Sequence, residues 1–324
     1  MSLDLHGIVP ACIVTFDAGG RFDEAGYRRY LQWLLPQGPV ALAVNADTGE
    51  GPHLWPQERE RVLRVAVEEA GDVPVVAGLS AMFTAQAVEE AKRAEGAGAS
   101  GLLVFPIPAY QGTPLDPAIP VGYHEAIARG CDLPLIAFQL QPALGGVIFT
   151  EETLRRIAAI DSVVALKEAS FDARLYLQTR RMIERLERRI DLLTGDDNFI
   201  FESFVMGAEG ALIGFGTLAT ELQVRMYRLT REGRWTEARA IWERILPLEE
   251  AVYGPPVRDY RARTKVALAA LGVIGSTVMR PPLTEVSEEA ARVVRDALAA
   301  AGVAPLGSAR VGAARSGAAS EAAG

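Results

Sequence analysis

Lysine is nearly missing from this chain. Of 33 basic residues among 324, only Lys92, Lys167 and Lys265 are lysines, and arginine supplies the rest. A lysine in an apolar stretch is therefore conspicuous. Cysteine is also scarce. Cys12 and Cys131 lie in no CxxC, so a disulfide framework is excluded and a reducing compartment is expected. The three histidines, His6, His53 and His124, show no metal-ligand spacing, and no HExxH occurs. No metal and no other cofactor is expected. No apolar run reaches the roughly 18 residues that a membrane span needs. The start, MSLDLHGIVP, has no basic-then-apolar signal pattern, so a cytoplasmic location is expected. The net charge of −8 argues against nucleic acid or an anionic membrane surface as partner.

What the chain does have is a regular alternation. Short, continuous apolar runs (8–16, 40–44, 73–77, 101–105, 133–138, 162–166, 190–193 and 211–213) alternate with longer amphipathic ones. Continuous runs mark strands covered on both faces, as in a parallel sheet. Eight strand–helix units fit a (β/α)8 TIM barrel, an α/β fold, better than a doubly wound sheet. The expected organisation is a barrel over 1–232, a C-terminal helical extension over 233–303 and a disordered tail over 304–324, where Ala, Gly and Ser dominate.

In such a barrel the chemistry sits just after each strand. The sixth run ends Leu166-Lys167-Glu168. An apolar setting lowers an amine's pKa and makes it a nucleophile toward carbonyl carbon. The plain alternative is an ion pair with a neighbour such as Glu168. The barrel setting and the scarcity of lysine favour a Schiff base. After the second strand, Asp47-Thr48-Gly49-Glu50 offers a hydroxyl and backbone N–H groups to a carboxylate; a mere tight turn is the competing reading. After the seventh strand, the acids of Thr194-Gly195-Asp196-Asp197 read first as caps of the next helix. Gly214 to Ala219 matches GxGxxA. It stands in the last unit rather than the first, so a glycine-lined anion site is the better reading than a nicotinamide site. Ser80, in Gly78-Leu79-Ser80-Ala81, lacks the second glycine of a nucleophile elbow.

Taken together these segments resemble the dihydrodipicolinate synthase / N-acetylneuraminate lyase family of class I, pyruvate-type aldolases, over roughly residues 5 to 300. Asp47-Thr48-Gly49-Glu50 is similar to that family's G-[ST]-T-G-E turn, Leu166-Lys167-Glu168-Ala169 to its [IL]-K-[ED]-[AS] strand end, and Thr194 to Asp197 to its S-G-D-D segment. Pro256-Val257-Arg258 and Arg280 to Thr284 resemble C-terminal landmarks. The resemblance implies a lyase that binds a small 2-oxo acid such as pyruvate through a Lys167 imine, assembled as a homo-oligomer, tetramer or dimer. It implies Thr48, Phe138, Gln139, Gly195, Ile213 and Tyr110 around the substrate.

The chain also departs from the family. Where the family has Y-N-x-P, this chain reads Phe138-Gln139-Leu140-Gln141-Pro142. The tyrosine that relays protons is replaced by Phe138, which has no hydroxyl. The arginine that holds a second carboxylate in the synthase falls on Ala143 or Leu144. Asp47, standing where a relay hydroxyl would be, is the first candidate for proton transfer as a catalytic acid; Glu168 and Tyr110 are the alternatives. Aldol cleavage or condensation, or dehydration, is expected. A non-catalytic keto-acid-binding barrel, a nicotinamide oxidoreductase and a true 4-hydroxy-tetrahydrodipicolinate synthase are the rival readings.

Overall fold

The computed structural model describes residues 3–112, 114–303 and 305–306. Eight strands run β1 (Ile8–Pro10), β2 (Leu42–Val44), β3 (Val75–Leu79), β4 (Gly101–Val104), β5 (Leu135–Leu140), β6 (Val163–Ala169), β7 (Asp191–Thr194) and β8 (Gly210–Ile213). All neighbours pair in parallel, in the order β1-β8-β7-β6-β5-β4-β3-β2. A parallel bridge from Ala11 to Ala43 closes the ring. The TIM barrel read from the sequence is the fold observed. Its first strand is shorter than the 8–16 apolar run: regular pairing ends at Pro10, and the buried residues beyond it lie outside any regular strand.

Strand parity divides the side chains. Val9, Ala43, Val76, Leu103, Ile136, Ala165, Leu193 and Leu212 fill the barrel interior. Their neighbours, such as Ile8, Leu42, Val75, Leu135 and Ile213, pack outward against the helices. This two-sided burial is why the strands read as unbroken apolar runs. It also decides which strand-end residues reach the mouth.

The outer layer is α1 (Glu24–Leu34), α2 (Pro56–Ala70), α3 (Thr84–Gly96), α4 (Ala118–Gly130), α5 (Glu151–Ala158), α6 (Ala173–Glu184), α7 (Ile200–Val205) and α8 (Thr220–Arg231). Caps fix several starts: Asp23, Thr150 and Asp172 accept backbone N–H bonds at α1, α5 and α6. Beyond the barrel come α9 (Trp235–Tyr253), α10 (Tyr260–Ala270) and α11 (Glu288–Ala301). Helix α9 packs on α8 and on the 3-10 turn Asp197–Phe199 after β7, which carries its C-terminal end to the barrel mouth. The tail expected as disordered lies outside the described residues, apart from Pro305 and Leu306; the Leu306 N–H donates to the Leu271 carbonyl at 2.9 Å. No helix among the described residues is long and apolar enough to cross a membrane.

Candidate active site

Lys167 shares the inward parity of Ala165 and Ala169, so its side chain rises inside the barrel toward the mouth. It is 8% exposed, and its Nζ lies 4.4 Å from the centre of the Phe138 ring, the residue opposite it on β5. It makes no ion pair or hydrogen bond with any described residue. Burial lowers its pKa to about 8, against the opposing pull of Asp197, Asp47 and Asp196. Glu168, the partner that an ordinary ion pair would need, faces the helix layer. It accepts from Gln139 Nε2 at 3.2 Å and from the Ser170 N–H at 3.2 Å. The room for the lysine comes from Gly195 on the next loop. A β-carbon there would stand 2.5 Å from Lys167 Cε and 3.0 Å from Ala169 Cβ. Gly195→Ala is therefore expected to displace the amine and slow its reaction with a carbonyl compound at least about tenfold, with the fold retained; rates of reductive trapping and a melting curve check this.

The cavity around Lys167 is lined by Ala46, Asp47, Thr48, Phe138, Gly195 and Asp197 on the barrel side, and by Tyr253, Val257 and Tyr260 from the extension. Asp197 does not cap α7. Its Oδ1 accepts the Phe215 N–H at 2.7 Å, and burial raises its pKa to about 7 despite that bond and the nearby Lys167. Glu249, one turn before Tyr253 on α9, is also buried, with Oε1 unpartnered; burial and then the charge of Asp197 raise it to about 8. Tyr253 stacks on Tyr260 at 4.9 Å between centroids. Burial, with Asp197 next in size, holds the Tyr253 phenol well above its ordinary pKa, so it stays protonated. Several buried phenol oxygens lack a hydrogen-bond partner among the described residues, that of Tyr253 included, and Tyr253 lines this cavity.

The turn after β2 forms the opposite wall. A β-carbon at Gly49 would meet the Cys12 carbonyl at 2.5 Å, and one at Gly51 the Asn45 carbonyl at 1.9 Å, so the backbone packs where no side chain fits. The N–H groups of Thr48 and Gly49 donate to no described residue, and Thr48 and Tyr260 both line the cavity. Asp47 is held from outside. It forms an ion pair with Arg261 and accepts the Tyr260 O–H at 2.9 Å, while Arg261 Nε donates to its carbonyl at 2.8 Å. It was expected as a free acid beside the substrate; instead its carboxylate fixes Arg261 and Tyr260. Below it, Glu50 and Lys265 form an ion pair with both side chains fully buried, and Glu50 also accepts the Arg280 N–H at 3.0 Å.

The structure brings Lys167, Asp47, Thr48, Phe138 and Gly195 together and removes three other expected residues. Gln139 has outward parity, and its amide is spent on Glu168, on Thr179 at 2.8 Å and on the Phe149 N–H. Ile213 also points outward, into the core beneath the helices. Tyr110 packs edge-on against Tyr123 and Phe149, away from the lysine. The glycine segment after β8 is no anion cradle either. Its Phe215 N–H is taken by Asp197, its Thr217 N–H by the Gly214 carbonyl and its Leu218 N–H by the Phe215 carbonyl. Asp196 sits behind the site, fully buried; burial and the adjacent Glu168 push its pKa well up, and it accepts the Phe171 N–H at 2.6 Å. Missed altogether were Tyr253, Tyr260, Arg261 and Glu249. The stretch Tyr253-Gly254-Pro255-Pro256-Val257-Arg258-Asp259-Tyr260 contained a recognised landmark, and its two flanking tyrosines were the available signal.

Comparison with known proteins identifies the family and the fold. The family model described as the dihydrodipicolinate synthetase family matches residues 4–301. A 4-hydroxy-tetrahydrodipicolinate synthase of Gluconacetobacter diazotrophicus is 30% identical over 298 residues, covering 92% of this chain and 97% of that protein. The crystal structure of a dihydrodipicolinate synthase from Thermotoga maritima is 26% identical with a TM-score of 0.83, over 92% of this chain and 99% of that one. That of a chloride-inhibited dihydrodipicolinate synthase from Acinetobacter baumannii, complexed with pyruvate, is 24% identical with a TM-score of 0.81, covering 93% of this chain and 99% of that one; it speaks for the fold alone.

Proposed function

Because the chain belongs to the dihydrodipicolinate synthetase family, we propose that this lyase works through an imine between Lys167 and a small 2-oxo acid such as pyruvate. The observation that carries the reading is a buried amine with no ion pair among the described residues, facing a cavity that Thr48 lines on its far wall. The Thr48 and Gly49 N–H groups and the Thr48 hydroxyl suit the acid's carboxylate. The 2-oxo carbon then stands over Lys167 Nζ, with Phe138 and Gly195 shaping the sides. Loss of water from the first adduct gives an iminium, which draws electrons from C3 and so supports aldol cleavage, condensation or dehydration.

Only the neutral amine attacks. With Lys167 near pKa 8, its neutral fraction rises about tenfold per unit well below pH 8 and flattens above it. The rate of reductive trapping with pyruvate is expected to follow that curve. A midpoint near the ordinary lysine value of about 10.4 would refute the desolvated nucleophile.

The named relatives favour a second reading, true 4-hydroxy-tetrahydrodipicolinate synthase. Phe138 and the apolar Ala143 and Leu144 weigh against it, since the cavity wall there carries no cation for a second carboxylate. Pyruvate with aspartate semialdehyde is expected to give negligible turnover; robust turnover would establish the synthase. A cytoplasmic dimer or tetramer belongs to the same proposal. Trp55, Met82 and Phe83, 73%, 64% and 60% exposed on loops at the barrel mouth, suit self-association.

A further inference from the structure

The Lys167 imine leaves one task without an obvious agent. The carbinolamine hydroxyl must be protonated to leave, and a proton must then come off C3. Phe138 supplies no hydroxyl, Asp47 is committed to Arg261 and Tyr260, and Glu168 and Tyr110 face elsewhere.

We propose that Tyr253, from the C-terminal helix α9, is the phenol that carries these protons. Tyr253 is 7% exposed and lines the Lys167 cavity, and its hydroxyl has no hydrogen-bond partner among the described residues. Gly214 shows where it points. A β-carbon at that glycine would stand 2.0 Å from Tyr253 Oη and 2.8 Å from Thr48 Oγ1, so both hydroxyls converge on one spot at the mouth. Asp197 grips the same loop through the Phe215 N–H. The glycine after β8 thus makes room for a phenol that arrives from outside the barrel, on the opposite side from β5. Stacking on Tyr260 and an edge-on contact with Phe215 at 6.3 Å hold the ring in place.

The steps balance without another reagent. Lys167 Nζ bonds to C2, and the carbonyl oxygen becomes a hydroxyl with the amine's proton. Tyr253 gives its proton to that hydroxyl, the C2–O bond breaks, and water leaves as the nitrogen lone pair forms the iminium. The phenolate then takes a proton from C3, the C–H pair becomes the enamine double bond, and the phenol is restored. Its charged interval is brief and faces Arg261 beyond Tyr260, while burial raises the pKa values of the neighbouring Asp197 and Glu249 and so limits their negative charge at neutral pH.

This inference rests on the Lys167 imine, and one set of measurements separates the two. Pyruvate in deuterium oxide exchanges its methyl protons only if an enamine forms, and borohydride trapping reports the imine alone. Tyr253→Phe keeps the ring stack. It is expected to slow methyl exchange about 100-fold or more, the usual scale of a lost acid–base group, with the half-saturating pyruvate concentration unchanged and the Lys167 adduct still reaching full yield at long times. Phe138→Tyr added to Tyr253→Phe should restore much of the exchange, which no purely structural role for Tyr253 would produce. Exchange at the wild-type rate in Tyr253→Phe would overturn the proposal. So would a loss that appears only as weaker pyruvate binding, or a folding defect that Phe138→Tyr leaves unrescued. A wild-type protein that yields no adduct would overturn the imine reading itself.

Discussion

Lys167→Met is expected to abolish lyase activity and reductive trapping, by about 10⁴-fold or more, while leaving the protein as stable as before or more so. The loss follows from removing the covalent route, since an amine held against a bound carbonyl acts at an effective concentration of about 10⁵ M or higher. The stability follows from the burial. Lys167 has no ion pair among the described residues and lies against an aromatic ring, and burying an amine without a charged partner is a cost to the fold. Methionine fills the same space without a polar head. Melting curves and trapping yields on the same preparation check both halves. A marked drop in stability would mean that the lysine is a structural member of the core.

Lys265→Met should instead cost stability. Lys265 and Glu50 are both fully buried and joined by an ion pair, and Lys265 also donates to the Val278 carbonyl at 2.8 Å. Burial lowers the lysine's pKa, and Glu50 opposes that shift. Removing the cation leaves Glu50 buried with only the Arg280 N–H beside it, a loss on the order of 3–5 kcal/mol. Denaturant midpoints measure it. Glu50→Gln with Lys265→Met should recover most of the loss, because the uncompensated charge goes too. Activity should fall in the single variant as well, since Glu50 closes the turn that carries Thr48. The two buried lysines thus differ: Lys167 has no ion pair among the described residues, whereas Lys265 is paired with Glu50 and holds the turn together.

The barrel was legible because two-sided burial leaves unbroken apolar strands, and because helices between them keep their own period. Lys167 was legible for a similar reason, as a cation terminating such a run in a chain with few lysines. Gln139 and Ile213 were misplaced although strand parity was available to correct them. Counting by two from Ile136 or from Leu212 turns both outward, as it does Glu168. Asp197 read as a helix cap because a Thr-Gly-Asp-Asp segment satisfies that pattern locally. Its actual partner, the Phe215 N–H, lies on the next loop. Tyr253, Tyr260 and Arg261 were beyond any local rule. They reach the site because α9 and α10 fold back over the mouth, a contact spanning more than 200 residues of sequence between Tyr260 and Asp47. The substitution at Phe138 could be read at once; the phenol on the opposite side could not.

The most direct measurement is reductive trapping of the wild-type protein. It would be incubated with pyruvate, reduced with borohydride, weighed intact and mapped by peptides. One adduct per chain, on the peptide that holds Lys167, is the expected result. No adduct with pyruvate or with longer 2-oxo acids, or an adduct confined to the exposed Lys92, would contradict the imine account.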